Sequence, residues 1–122
     1  MAFQLALDHV QIAAPRGCED EARRFFGELL ELDEVEKPEP LRSRGGVWFR
    51  VGVAQLHIGV EEQFEPARKA HPAFSVAAGE LDSLAERLTA AGETVDWDDA
   101  LLPVRRFYTA DPWGSRIEIV GT

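Results

Sequence analysis

The chain has 122 residues, 45% of them hydrophobic and 29% charged, and its 13 Lys and Arg against 22 Asp and Glu give a formal net charge of −9. That length supports one core of ordinary size, and a surface of that sign repels phosphate backbones and anionic lipid headgroups. No apolar run approaches the roughly 20 residues of a membrane span, so neither nucleic acid nor a membrane is expected as a partner.

The opening residues lack a basic segment and meet an acid at Asp8, unlike a secretory leader. Cys18 is the only cysteine, so no internal disulfide forms and a cytoplasmic address is expected. From Leu5 to Ala13 the residues alternate, with Leu5, Leu7, His9, Gln11 and Ala13 on one face, which predicts a strand. Pro15 and Gly17 end it. Cys18 to Leu32 then carries Ala22, Phe25, Phe26, Leu29, Leu30 and Leu32 at helical spacing, an amphipathic helix. Cys18, near its start, reads as a packing residue. Pro38 and Pro40 break the following stretch. Two strands, Gly46 to Val51 and Ala54 to Val60, then pair across Gly52-Val53.

Glu61 to Ala70 is polar and reads as a connection, after which the pattern restarts. Pro72 to Ala77 predicts a strand, Glu80 to Ala91 a helix ended by Gly92, and Thr94 to Trp97 a short strand. A last hairpin pairs Arg105 to Ala110 with Ser115 to Val120 across Asp111-Pro112-Trp113-Gly114. The reading is a single α+β domain over 1–122, made of two modules at about 1–62 and 69–122, each a strand, a helix and three strands.

Two spacings support the duplication: His9 and His71 lie 62 residues apart, and His57 and Glu118 lie 61 apart. Two-fold pseudosymmetry could therefore bring all four together. Strand parity agrees. An even turn at Gly52-Val53 puts Trp48 opposite His57 and Arg50 opposite Gln55, and a four-residue last turn puts Phe107 opposite Glu118 and Thr109 opposite Arg116. His9 shares its face with Gln11. These faces would form a polar trough behind apolar, helix-facing sides.

At these residues the sequence resembles the vicinal oxygen chelate superfamily, which holds glyoxalase I, fosfomycin-resistance transferases, extradiol dioxygenases and bleomycin-resistance proteins. The resemblance spans almost the whole chain. It rests on Leu7-Asp8-His9-Val10, Arg23-Arg24-Phe25-Phe26, Gln55-Leu56-His57-Ile58, His71-Pro72-Ala73-Phe74 and, most specifically, the Asp111-Pro112-Trp113-Gly114 turn leading to Glu118. It implies a βαβββ fold repeated into a curled, half-open mixed sheet with one helix per module. It also implies a homodimer, and metal ligands at His9, His71 and Glu118. The His57 position is more variable in the family and often holds Glu.

The expected cofactor is one divalent ion held by His9, His57, His71 and Glu118. Imidazoles with a carboxylate suit Zn, Ni, Co, Mn or Fe(II). Four ligands leave two open positions for a small substrate's neighbouring oxygens, which favours glyoxalase-like lyase or isomerase chemistry with Glu118 and His57 as its catalytic groups. Three ligands would match an Fe(II) extradiol-type dioxygenase and free His57 as an acid or base. A metal-free, ligand-sequestering protein of the bleomycin-resistance kind is the remaining alternative. Arg50, Arg105 and Arg116 are candidate anchors for an anionic group. Gln11, Trp48 and Phe107 are candidate trough-lining contacts, and Arg44 and Lys69 lie in loops able to act as lids.

Overall fold

A strand needs a partner as well as a pattern, and this decides where the first one starts. In the computed structural model, which describes residues 2–122, β1 runs His9–Ala14 rather than from Leu5. Its parallel partner β4 (Ala54–Val60) begins opposite it, with His9 level with Gln55, and the last backbone bond runs from Gln55 N to Asp8 O at 3.0 Å. Upstream there is nothing to pair with, so Phe3, Leu5 and Leu7 stay exposed.

The first helix also departs from expectation. An α-helical turn, α1 (Glu19–Ala22), passes into a π-helix over Arg23–Leu29, with Leu30 N donating to Phe25 O at 3.1 Å. The wider coil lets the consecutive Phe25 and Phe26 both bury, edge to face at 4.9 Å, and Phe26 meets Phe49. The helix stops at Leu29, and Glu31 turns the chain with φ 58. Two elements of this region have no clear sequence signal: β2 (Asp33–Val35) and a short helix, α2 (Glu39–Arg42), that Pro40 joins in its first turn. The hairpin of β3 (Val47–Val51) with β4 has the expected register, Trp48 opposite His57 and Arg50 opposite Gln55. Sheet order is β1-β4-β3-β2, with β1 parallel and the others antiparallel.

The second half repeats this with β5 (Ala73–Val76), α3 (Leu81–Ala90), β6 (Asp96–Asp98), β7 (Arg106–Ala110) and β8 (Arg116–Gly121), in the order β5-β8-β7-β6. α3 buries Leu81, Ala85 and Leu88, and Gly92 at φ 86 closes it while Glu93 N bonds Leu88 O. Each sheet is mixed and open, and no barrel closes. The chain divides into two compact units, Met1–Glu65 and Pro66–Thr122. The repeat holds at the level of register. Gln11 sits opposite His57 in the first unit, and Ala73, the matching residue, sits opposite Glu118 in the second.

The last turn corrects one prediction. It spans five residues, Asp111 to Ser115, closed by Asp111 N on Ser115 O at 2.9 Å, so Ala110 pairs with Arg116 and Tyr108 with Glu118. Adding one residue to the turn shifts the partner of every β7 side chain by one. Phe107 therefore lies opposite Ile119 in the apolar core, fully buried, and Tyr108 takes the place beside Glu118. Asp111 drives the tighter wrap: its Oδ1 accepts from Trp113 N at 3.1 Å and from Ser115 N at 2.8 Å.

Candidate metal-binding half-sites

In the first unit His9 opens β1 level with Gln55, and His57 lies in mid-β4 two residues further along the adjacent strand on the same face, so their rings meet. The rings stack at 4.2 Å with a 17° tilt, and Trp48, directly across from His57, stacks on its other face at 3.6 Å and 3°. His57 is thus held between Trp48 and His9 and is nearly buried. Gln55, two residues earlier on the same face, accepts a hydrogen bond from His57 Nε2 at 2.8 Å, which leaves the lone pair on Nδ1. Burial first, and the neighbouring His9 second, push the His57 pKa below its ordinary value, so the ring is neutral.

His9 is oriented differently. Its Nδ1 lies 2.7 Å from Asp8 Oδ2, and a carboxylate only accepts, so Nδ1 carries the proton and Nε2 presents a lone pair. An imidazole fixed by a carboxylate on one nitrogen and free on the other is the arrangement that ligating histidines use.

In the second unit His71 precedes β5 rather than lying within it, and Glu118 sits in mid-β8. His71 Nδ1 is 2.8 Å from the Lys69 carbonyl, again an obligate acceptor, so Nε2 bears the lone pair of the neutral ring. That nitrogen faces Glu118 Oε1 at 2.9 Å. Two lone pairs cannot rest at that distance without a proton or a cation to satisfy them. Glu118 is largely buried, and its other oxygen accepts from Arg106 Nη1 at 3.3 Å. Arg106 also reaches Asp98 at 3.3 Å. The Tyr108 ring sits edge-on to His71 at 5.6 Å, with the Arg116 guanidinium stacked on it at 3.7 Å.

The donor types therefore suit a borderline divalent ion: imidazoles, each fixed by a hydrogen bond, and a buried carboxylate. They come as two pairs, one in each unit, and among the described residues no group of three or more His, Cys, Asp or Glu is arranged to hold a metal. Neither pair alone supplies the three protein ligands of a typical catalytic site.

The remaining predicted residues sort clearly. Gln11 neighbours His57, and its amide lies over Gly59, where any Cβ would fall 2.7 Å from Gln11 Cδ. With Trp48, Lys37 and Arg44 it lines a cleft of about 220 Å³. Arg50 is exposed on the Trp48 face, and Arg116 shares the face of Glu118. Arg105 is not on that face. Both its terminal guanidinium nitrogens donate to Asp82 of α3, at 3.1 and 2.9 Å, so it braces the helix, and Arg106 meets Glu118 instead. Cys18 is buried, and burial raises its pKa to about 11, so it is an inert packing residue.

Sequence reasoning missed Asp8, Gln55, Arg106 and Tyr108. Gln55 shares parity with His57 and was findable; Arg106 and Tyr108 depended on the length of one turn.

No family model matches the chain, and no curated protein matches it. Solved structures do. A glyoxalase family protein from Bacillus anthracis is 47% identical, with a TM-score of 0.94, covering 100% of this chain and 98% of that one. A lactoylglutathione lyase from Agrobacterium tumefaciens is 18% identical over 95% of this chain and 92% of that one, with a TM-score of 0.76. A variant of the fosfomycin resistance protein FosX from Listeria monocytogenes, complexed with Mn(II) and 1S,2S-dihydroxypropylphosphonic acid, is 17% identical over 98% and 93%, with a TM-score of 0.79.

Proposed function

The chain belongs to the glyoxalase family, within the vicinal oxygen chelate superfamily, and from that premise we propose that it is a metal-dependent lyase or isomerase acting on a small substrate with neighbouring oxygens. The observation that carries this is the His71 Nε2 to Glu118 Oε1 approach at 2.9 Å, with the Lys69 carbonyl holding the proton on the other ring nitrogen. His9, matching His71 in the repeat and turned the same way by Asp8, supplies the third ligand. The Mn(II)-bound FosX neighbour supports a divalent ion in this superfamily.

His9, His71 and Glu118 would hold a divalent cation, which would supply Lewis-acid polarisation of the substrate oxygens. The chain's own residues do the rest. Arg106 aims the Glu118 carboxylate, and Asp8 and Lys69 O fix the two imidazoles. His57, neutral and with its Nε2 proton committed to Gln55, offers Nδ1 as the base that takes a proton from the substrate carbon beside the oxygens. Trp48 and Gln11 bound the substrate on one side, and Arg50 and Arg116 anchor an anionic part of it.

Metal analysis tests the proposal. Purified protein should rebind one equivalent of a divalent ion per site, and Glu118→Gln should lose it together with any lyase activity on lactoylglutathione, the compound named for one structural neighbour. Protein that takes up no ion overturns the reading. The two-histidine, one-carboxylate set also favours a second reading, an Fe(II) dioxygenase. Oxygen consumption with a catechol under reducing Fe(II) conditions would select it.

A further inference from the structure

Beside the Glu118 half-site the second unit has a cleft of about 280 Å³, lined by Arg68, Asp96, Tyr108, Thr109 and Arg116 among others. Its two guanidiniums are brought together by backbone rather than by chance side-chain positions. Arg116 N donates to Ala67 O at 2.9 Å, and Ala67 N donates to Ser115 Oγ at 3.0 Å, so the loop carrying Arg68 is latched to the start of β8. Two like charges in one cleft repel unless something negative lies between them. The only acid in the lining is Asp96, which leaves one positive charge in excess within a chain of net charge −9.

Neither guanidinium makes an ion pair among the described residues. Arg116 lies flat on Tyr108, which fixes its plane and leaves its N–H edge free to donate. Thr109, which also lines the cleft, has a buried hydroxyl with no hydrogen-bond partner among the described residues. Two forked donors and a lone acceptor define a complementary ligand. The guanidiniums match the two oxygens of a carboxylate, and Asp96 accepts from a donor on the adjacent carbon.

We propose that the cleft between Arg68 and Arg116 binds a carboxylate bearing a hydroxyl or ammonium on its neighbouring carbon. This deepens the reading above by naming the anionic end of the substrate, yet it needs no metal. Tyr108, cross-strand from Glu118, places this end next to the half-site where the chemistry is proposed.

Titration of the labelled full chain with lactate, alanine, propionate and chloride, at matched ionic strength and with chelator present, tests it by amide shifts around 67–68, 96 and 108–116. Lactate or alanine should bind at least fivefold more tightly than propionate, and which of the two wins identifies the donor. Chloride should produce no saturable shift. Arg68→Gln should weaken carboxylate binding at least tenfold with an unchanged spectrum elsewhere. Asp96→Ala, which removes the acceptor, should abolish the advantage over propionate without weakening propionate binding. Indistinguishable shifts with lactate and chloride, or unchanged binding by Arg68→Gln, overturn the proposal. Because chelator is present throughout, a failed metal assay would leave this result standing, and a failed titration would leave the metal assay standing.

Discussion

The two units carry the same backbone register with different side chains at its centre. Around β4 the aligned positions hold Trp48, His57 and Gln11, a stack in which the buried imidazole is neutral and spent on Gln55. Around β8 they hold Tyr108, Glu118 and Ala73, and the buried carboxylate is answered by Arg106 and His71. Duplication supplies matched places, and the chemistry diverges within them: one unit offers aromatic packing, the other a charge network. His9 and His71 are the exception, alike in identity and each with Nδ1 tied back by an acceptor, while Nε2 of His71 faces Glu118 Oε1 at 2.9 Å.

The largest expected effect breaks the backbone symmetry. Gly46, at φ 90 just before β3, has no room for a side chain, because a Cβ would fall 2.0 Å from Ile58 O. Gly46→Ala should cost about 3 kcal/mol or more, by strain and by displacing β4. Hydrogen exchange should show protection lost in β1, β3 and β4 ahead of β5, β7 and β8. Uniform loss would mean that the units do not open separately.

The next effect concerns the turn peculiar to the second unit. Burial raises the Asp111 pKa to about 6, and its Oδ2 has no partner among the described residues. A carboxyl that binds its proton more tightly when folded stabilises the fold below its unfolded pKa of 3.8. That contribution falls away as pH rises toward about 6. Asp111→Asn keeps the Oδ1 acceptor and removes the buried charge. It should flatten this slope and gain about 2 kcal/mol at pH 7 in urea titrations, whereas a loss at pH 7 would show that the ionised form is favoured.

The smallest effect on stability separates the two histidines of the first unit. If His57 acts as a base and a brace, His57→Gln should abolish turnover while weakening the metal about tenfold, in line with the loss of a supporting contact. His9→Gln should eliminate stoichiometric binding. Equal losses in the two variants would restore His57 to the ligand set.

Much of the fold was legible because it depends on neighbours in sequence. The period of alternation located β3, β4 and β8, helical spacing located α3, and the offset of 62 and 61 residues located the repeat. The two-residue turn at Gly52-Val53 set the first hairpin's register correctly, since so short a loop permits little else. The last hairpin failed by one residue, because the Asp111 side chain draws Ser115 into the turn and no spacing rule counts a side-chain hydrogen bond. That single miss exchanged Phe107 for Tyr108 and Arg105 for Arg106.

The sequence by itself determined the elements, their repetition and which polar residues stand at equivalent places, since all of these follow from local periodicity. Only tertiary structure decided that the strand could not begin at Leu5, that His57 would be stacked between Trp48 and His9, and that His71 would meet Glu118. The reason is common to all three. A strand's end and the partner a side chain meets are set by the group across the gap, and in the pairs Asp8 with Gln55, His9 with His57 and His71 with Glu118 that group lies tens of residues away along the chain.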